Sequence, residues 1–141
     1  MIAIGCDHGA LELKEQLIEH LKKRGVYCMD YGIYTKDSCD YPVYAKKVAE
    51  AILSGECEEG ILLCGTGIGM SMAANKIKGI RAALCSDCFS AQATKEHNNA
   101  NVLCMGARVI GPELAFRIAD TFFDSKFSND ESHIRRISMF D

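Results

Sequence analysis

Residues Gly60 to Lys76, GILLCGTGIGMSMAANK, decide how the rest of the chain is understood. A short apolar run ends in a cysteine, a turn follows with glycine at 65, 67 and 69, and a helix is predicted from near Met70. Three alternating glycines let the backbone turn sharply and leave N–H groups uncovered where a helix presents its unpaired amides. Such a turn either attracts an anion or serves only to pack strand against helix. Cys64 closes the strand, where the positive end of a helix favours a thiolate. It is a base or nucleophile, or one more buried cysteine among eight. The motif is not the dinucleotide fingerprint, because position 70 is Met and no acidic residue closes a second strand about twenty residues on. Nor is it a Walker A loop, since no Gly-Lys-Ser/Thr follows.

The same strand-to-helix alternation extends outward in both directions. Ile2 to Cys6 is a strand, Asp7-His8-Gly9 a loop, and Ala10, Leu13, Leu17 and Leu21 the inner face of a helix that Gly25 stops. Val26 to Tyr31 is a second strand, and a polar loop runs from Gly32 to Asp40. Pro42 suits the first turn of a helix with Ala45, Val48, Ala49 and Ile52 inward. Beyond the opening motif come a strand over Ile80 to Cys85, a helix over Cys88 to Glu96, and a polar junction at His97-Asn98-Asn99. A fifth strand over Val102 to Met105 leads to a helix after Gly111-Pro112, with Ala115, Ile118, Ala119 and Phe122 on one side. Ser128-x-x-Glu131 has the form of a capping box ahead of a short helix, with Ile134 and Ile137 inward and Arg135 and Arg136 on another face.

Five alternations joined by connections too long for hairpins predict an α/β fold, a parallel sheet covered by helices on both sides. At 141 residues, with no linker or repeat, the expectation is one domain over 1–141. Ligands of such sheets bind beyond the carboxyl ends of the strands. Asp7-His8 and the Cys64 turn belong to that end. His97 follows a helix and belongs to the opposite one, so it reaches the ligand only from another subunit or through an irregular loop. Asp7-His8 is a proton-transfer or anion-binding pair, or an Asp capping the next helix beside a surface His. His20, in a charged helix, is expected to be solvated and without a role.

Composition narrows the chemistry. Hydrophobic residues at 48% and charged residues at 25% fit an ordinary globular domain, and no apolar run is long enough to span a membrane. Met1 leads straight into a strand, so a cytoplasmic location is expected. A net charge of −3 argues against broad nucleic-acid binding. Cys85-Ser-Asp-Cys88 is the one C-x-x-C, without the second pair that zinc would need; it suits a redox role better than a metal. Arg108 and Arg136 carry forks suited to phosphate.

Ile4-Gly-Cys-Asp-His8, Asp40-Tyr-Pro42, Cys64-Gly-Thr-Gly-Ile-Gly69, Ala74-Asn-Lys76, Gly79-Ile-Arg81, Lys95-Glu-His-Asn98 and Asn101-Val occur in one order. Together they resemble the type B ribose-5-phosphate isomerases and their allose and galactose 6-phosphate relatives, over residues 2 to about 123. The resemblance implies a Rossmann-like α/β/α sandwich with a five-stranded parallel sheet. It also implies a homodimer or tetramer with its site at the subunit boundary, the tail 124–141 packing on the partner. Cys64 is then the base that moves a proton between C1 and C2 of a sugar phosphate through an enediolate. Amides of Gly65, Gly67, Ile68 and Gly69 face the oxyanion. His97 of the partner chain, with Thr66 and Asp7 nearby, opens the sugar ring. His8, Arg108 and Arg136 contact phosphate and sugar, and Asn98 a hydroxyl. No metal or organic cofactor is implied. The tail departs from the ribose type: the place of one phosphate-gripping arginine is taken by Ser132, and Arg135 is its nearest substitute, although helix neighbours point about 100° apart.

Overall fold

The computed structural model describes all residues from Met1 to Asp141. Five parallel strands, β1 (Ile2–Cys6), β2 (Cys28–Asp30), β3 (Glu59–Cys64), β4 (Ala82–Leu84) and β5 (Val102–Gly106), form one sheet in the order β2-β1-β3-β5-β4. Apart from Glu59 at the start of β3, the central three are continuous apolar runs, as strands buried on both faces must be. Side chains alternate between two cores. Ile2, Ile4, Cys6, Ile61, Leu63, Leu103 and Met105 face one side, packed against α1 (Leu11–Lys23), α4 (Cys88–Asn98) and α5 (Pro112–Asp124). Ala3, Leu62, Cys64, Val102 and Cys104 face the other, under α2 (Tyr41–Leu53) and α3 (Ile68–Asn75). This is the three-layer α/β/α arrangement predicted. No helix is long and apolar enough to cross a membrane.

The topology itself makes the crevice. From β1 the chain passes to β2 through α1 on one face, and from β3 it passes toward β4 through α3 on the other. The connections diverge between β1 and β3, so the ends of those two strands open between helices rather than beneath one.

Several boundaries differ from the sequence expectation. The second and fourth strands are shorter, because only three residues of each find a paired neighbour at the sheet edge. The Asn75 side-chain amide donates to the Ala82 carbonyl at 2.9 Å and accepts from its N–H at 2.7 Å. α3 begins at Ile68, directly after Gly67, whose φ of +80° provides the turn. His97 and Asn98 belong to the last turn of α4 rather than to a junction, which falls at left-handed Asn99. Ser128 does not cap the final helix: α6 (Glu131–Ser138) has Asp130 as its N-cap, and Ser128 Oγ accepts from the Asp130 N–H at 3.1 Å. Nor are Ile134 and Ile137 core residues, since α6 buries none of its side chains and Ile134 is 50% exposed. His20 is not free either. It stacks on Phe116 with ring centres 4.4 Å apart and meets Asp120 at 2.9 Å, in an ion-pair cluster with Arg24 that joins α1 to α5.

Candidate active site

Cys64 ends β3 with its side chain 6% exposed, and the Gly67 N–H donates to its Sγ at 3.1 Å. An amide aimed at sulfur stabilises negative charge there. It is the one cysteine whose sulfur accepts a backbone hydrogen. Burial pushes the thiols of Cys6, Cys28 and Cys85 up to about 11, and that of Cys104 higher still. All eight cysteines are free, and Cys85 of the C-x-x-C pair is among those that burial keeps protonated.

The turn after Cys64 is held from every side. The Ile68 N–H donates to Thr66 Oγ1 at 3.2 Å, and the Ala107 and Arg108 N–H groups donate to the carbonyls of Cys64 and Gly65, both at 2.9 Å. Two of the amides expected to face an oxyanion, those of Gly67 and Ile68, thus have partners within the turn itself. A Cβ on Gly67 would stand 2.8 Å from the Met105 backbone, and one on Gly69 2.7 Å from the Tyr41 ring. The Arg108 side chain runs beside Gly65. Across the crevice, the Asp7 N–H donates to the Leu63 carbonyl at 3.0 Å, while its carboxylate accepts from the Gly9 N–H at 2.9 Å. Asp7 therefore does cap the short 3-10 turn His8–Ala10. His8 Nδ1 accepts from the Cys39 N–H at 3.3 Å, which leaves Nε2 as the nitrogen that carries the proton in the neutral ring and can donate outward.

At the carboxyl end, then, the structure brings together Asp7, His8, Cys64, Gly65, Thr66, Gly67, Ile68, Gly69 and Arg108. His97, Asn98 and Arg136 are elsewhere. α4 runs back along the sheet, and three residues after Asn98 the Asn101 carbonyl accepts from Gly60 at the start of β3. Cys64 is four residues further up that strand, roughly 13 Å at the usual rise. His97 is exposed and its ring lies 4.7 Å from that of His133, whose Nδ1 is 2.6 Å from Ser128 Oγ. His133 and Arg136 are one helical turn apart on α6 and share a face. Beneath His97, Lys95 is buried as the ion-pair partner of Glu59 and lies 4.2 Å from the Phe122 ring centre; burial pushes its ammonium down to about 8.

The cavity beside the Cys64 turn, about 170 Å³ and lined by Thr66, Ile68, Leu84 and Val109, is below the ~300 Å³ that small-molecule sites usually need. A larger groove of about 450 Å³ on α1 carries Glu12, Glu15 and Glu19, the wrong sign for a phosphate. Sequence reasoning passed over Gly106, where a Cβ would meet the Thr66 backbone at 2.5 Å, and gave no role to Cys39, Tyr41 or His133. Only Tyr41 had a signal, its place in the Asp40-Tyr-Pro42 motif.

Residues 2–140 match the Ribose/Galactose Isomerase family. Ribose-5-phosphate isomerase B of Escherichia coli is 46% identical over 136 residues, 96% of this chain and 91% of that protein. D-erythrulose-4-phosphate isomerase of Pectobacterium atrosepticum is 47% identical over 132 residues, 93% and 87% of the two chains. The crystal structure of a ribose 5-phosphate isomerase from Thermotoga maritima superposes with a TM-score of 0.96 at 52% identity, covering 99% of this chain and 96% of that one. The chain thus has full-length counterparts among enzymes named for the isomerisation of phosphorylated sugars, and it belongs to the ribose/galactose isomerase family of sugar phosphate isomerases.

Proposed function

We propose that the protein interconverts ribose 5-phosphate and ribulose 5-phosphate, and that it does so as a homodimer whose sites each combine two chains. The observation that carries this reading is the Gly67 N–H at 3.1 Å from Cys64 Sγ, on a turn closed by glycine. Cys64 as thiolate removes the C2 proton of the open-chain aldose. The electron pair moves into the C1–C2 bond, and charge builds on O1, which the amides of Gly65, Gly67, Ile68 and Gly69 face as Thr66 and Cys64 release them. The proton returns from sulfur to C1 while the O2 hydroxyl proton passes to O1, which yields the ketose. His8 and Arg108 of one chain and Arg136 of the second hold the phosphate, and Asp7 of the first chain and Asn98 of the second hold the sugar hydroxyls. His97 of the second chain protonates the ring oxygen before the proton shift. No residue in this scheme requires a metal.

The separation of His97 from Cys64 along β3 and the small cavity at the turn support a two-chain site. The tail 124–141, with Ile134, Met139 and Phe140 exposed, is assigned to the partner subunit's surface. Replacing Cys64 by Ala should abolish both turnover and exchange of the substrate's C2 proton, a loss of at least about 10³-fold, while substrate still binds. Near-normal exchange would remove the base assignment. Ser132, in the place of a phosphate-gripping arginine, favours a second reading in which the preferred aldose phosphate is shorter or longer than ribose. Turnover compared across four-, five- and six-carbon aldose phosphates decides between them.

A further inference from the structure

Lys14 is 1% exposed, the most deeply buried charged side chain in the protein, and has no part in the reaction outlined above. It stands on the inner face of α1 among Leu13, Leu17 and Leu21, where an apolar residue is the usual occupant. Its Nζ reaches past the end of β2, donating to Asp30 Oδ1 at 2.7 Å and to the Ile33 carbonyl, and lies 5.0 Å from the centre of the Tyr34 ring. The same Asp30 oxygen accepts from the Gly32 N–H at 2.9 Å, and the Tyr34 hydroxyl donates to the Asp30 carbonyl at 2.7 Å. All these contacts converge on Asp30 to Tyr34, where β2 gives way to a segment that is neither helix nor strand until Tyr41.

Stability alone is a poor reason for this arrangement. A buried ion pair is commonly no more stabilising than apolar side chains of the same volume, and methionine would fill the space without desolvating a charge. What the ammonium adds is direction, since its three donors fix several points of an irregular loop at once. That loop delivers two groups to the crevice. The Cys39 N–H sets the ring of His8, and the Tyr41 ring covers Gly69.

We propose that Lys14 is a positioning residue: by clamping Asp30 to Tyr34 it holds the 31–40 loop so that Cys39 orients His8 toward the substrate phosphate. The inference rests on the reading of His8 as a phosphate contact. Steady-state kinetics on ribose 5-phosphate with Lys14→Met, Tyr34→Phe and His8→Ala, singly and combined, test it. Lys14→Met raises KM about tenfold with kcat within about twofold, the pattern of lost uniform binding. Tyr34→Phe, which removes one exposed hydroxyl and spares the core, raises KM about threefold. In a His8→Ala background neither change adds more than about twofold, because both act through the same contact. Effects that multiply independently of His8, or a fall in kcat at constant KM, overturn the inference. Should Lys14→Met fail to fold, the Tyr34→Phe and His8→Ala cycle decides alone, and absence of coupling there overturns it. If His8→Ala itself leaves KM unchanged, the phosphate role of His8 is what fails, and the inference falls with it. If His8→Ala raises KM and the other two do not, Lys14 alone is misassigned.

Discussion

At the carboxyl end of β3, Cys64, Thr66 and the glycines are tied to one another by hydrogen bonds within a few residues, and to the turn after β5 by two backbone hydrogen bonds. At its amino end, His97, Asn98 and Arg136 stand on two helices, exposed, with the ring of His97 beside that of His133. The first set is preorganised by its own backbone. The second is organised as a surface, with two helices presenting polar side chains outward. The proposed homodimer joins the two sets, each chain supplying what the other's site lacks.

Mixing subunits tests that division most sharply. Cys64→Ala and His97→Ala proteins, each nearly inactive, should recover about a quarter of wild-type activity when unfolded and refolded together, because half of the dimers are mixed and each of those has one intact site of two. No recovery would place both groups in one chain's site. The next largest effect is on His97→Ala alone, which should lose about 10²-fold on the cyclic substrate and little on an open-chain analogue. Equal loss on both would remove the ring-opening role.

Gly67→Ala sharpens the account of the rigid half. Its φ of +80° and a Cβ at 2.8 Å from backbone should cost about 2–3 kcal/mol in urea unfolding and displace the amide from the sulfur, with a fall in kcat of about tenfold or more. Arg136→Ala probes the exposed half: KM should rise about tenfold with kcat little changed, the loss of one charge-assisted contact. The smallest effect concerns Lys95 below His97. Its folded value near 8 lies under the ordinary 10.5, so the unfolded chain binds the extra proton between those values. This group's contribution to stability therefore rises with pH through that window. The buried cysteines work in the opposite direction above their ordinary 9, since their folded values are raised. Urea midpoints from pH 7.5 to 10.5 should consequently fall more steeply in Lys95→Met than in wild type.

The rigid half was legible because it is contiguous. Glycine at 65, 67 and 69 beside a strand-ending cysteine specifies a turn with few alternatives, and the alternation of apolar runs specifies the sheet. The strand order was not legible, because β5 inserts between β3 and β4 and nothing in the local pattern says so. Gly106 escaped for the same reason: its requirement for glycine comes from the Thr66 backbone forty residues away in sequence. Lys14 carried no signal in the sequence, since the partners that bury it lie in a loop without periodicity. In the tail, the capping pattern at Ser128 misled because that hydroxyl is used by Asp130 and His133.

Asn75, one of the residues that carry the family resemblance, is engaged at the edge of the sheet. By pairing with both the N–H and the carbonyl of Ala82, its amide takes the place of a neighbouring strand along the outer margin of β4. An unguarded margin is a template on which another chain can add and polymerise. A single side chain thus covers the first residue of that margin, at the place where an added strand would have to begin its pairing.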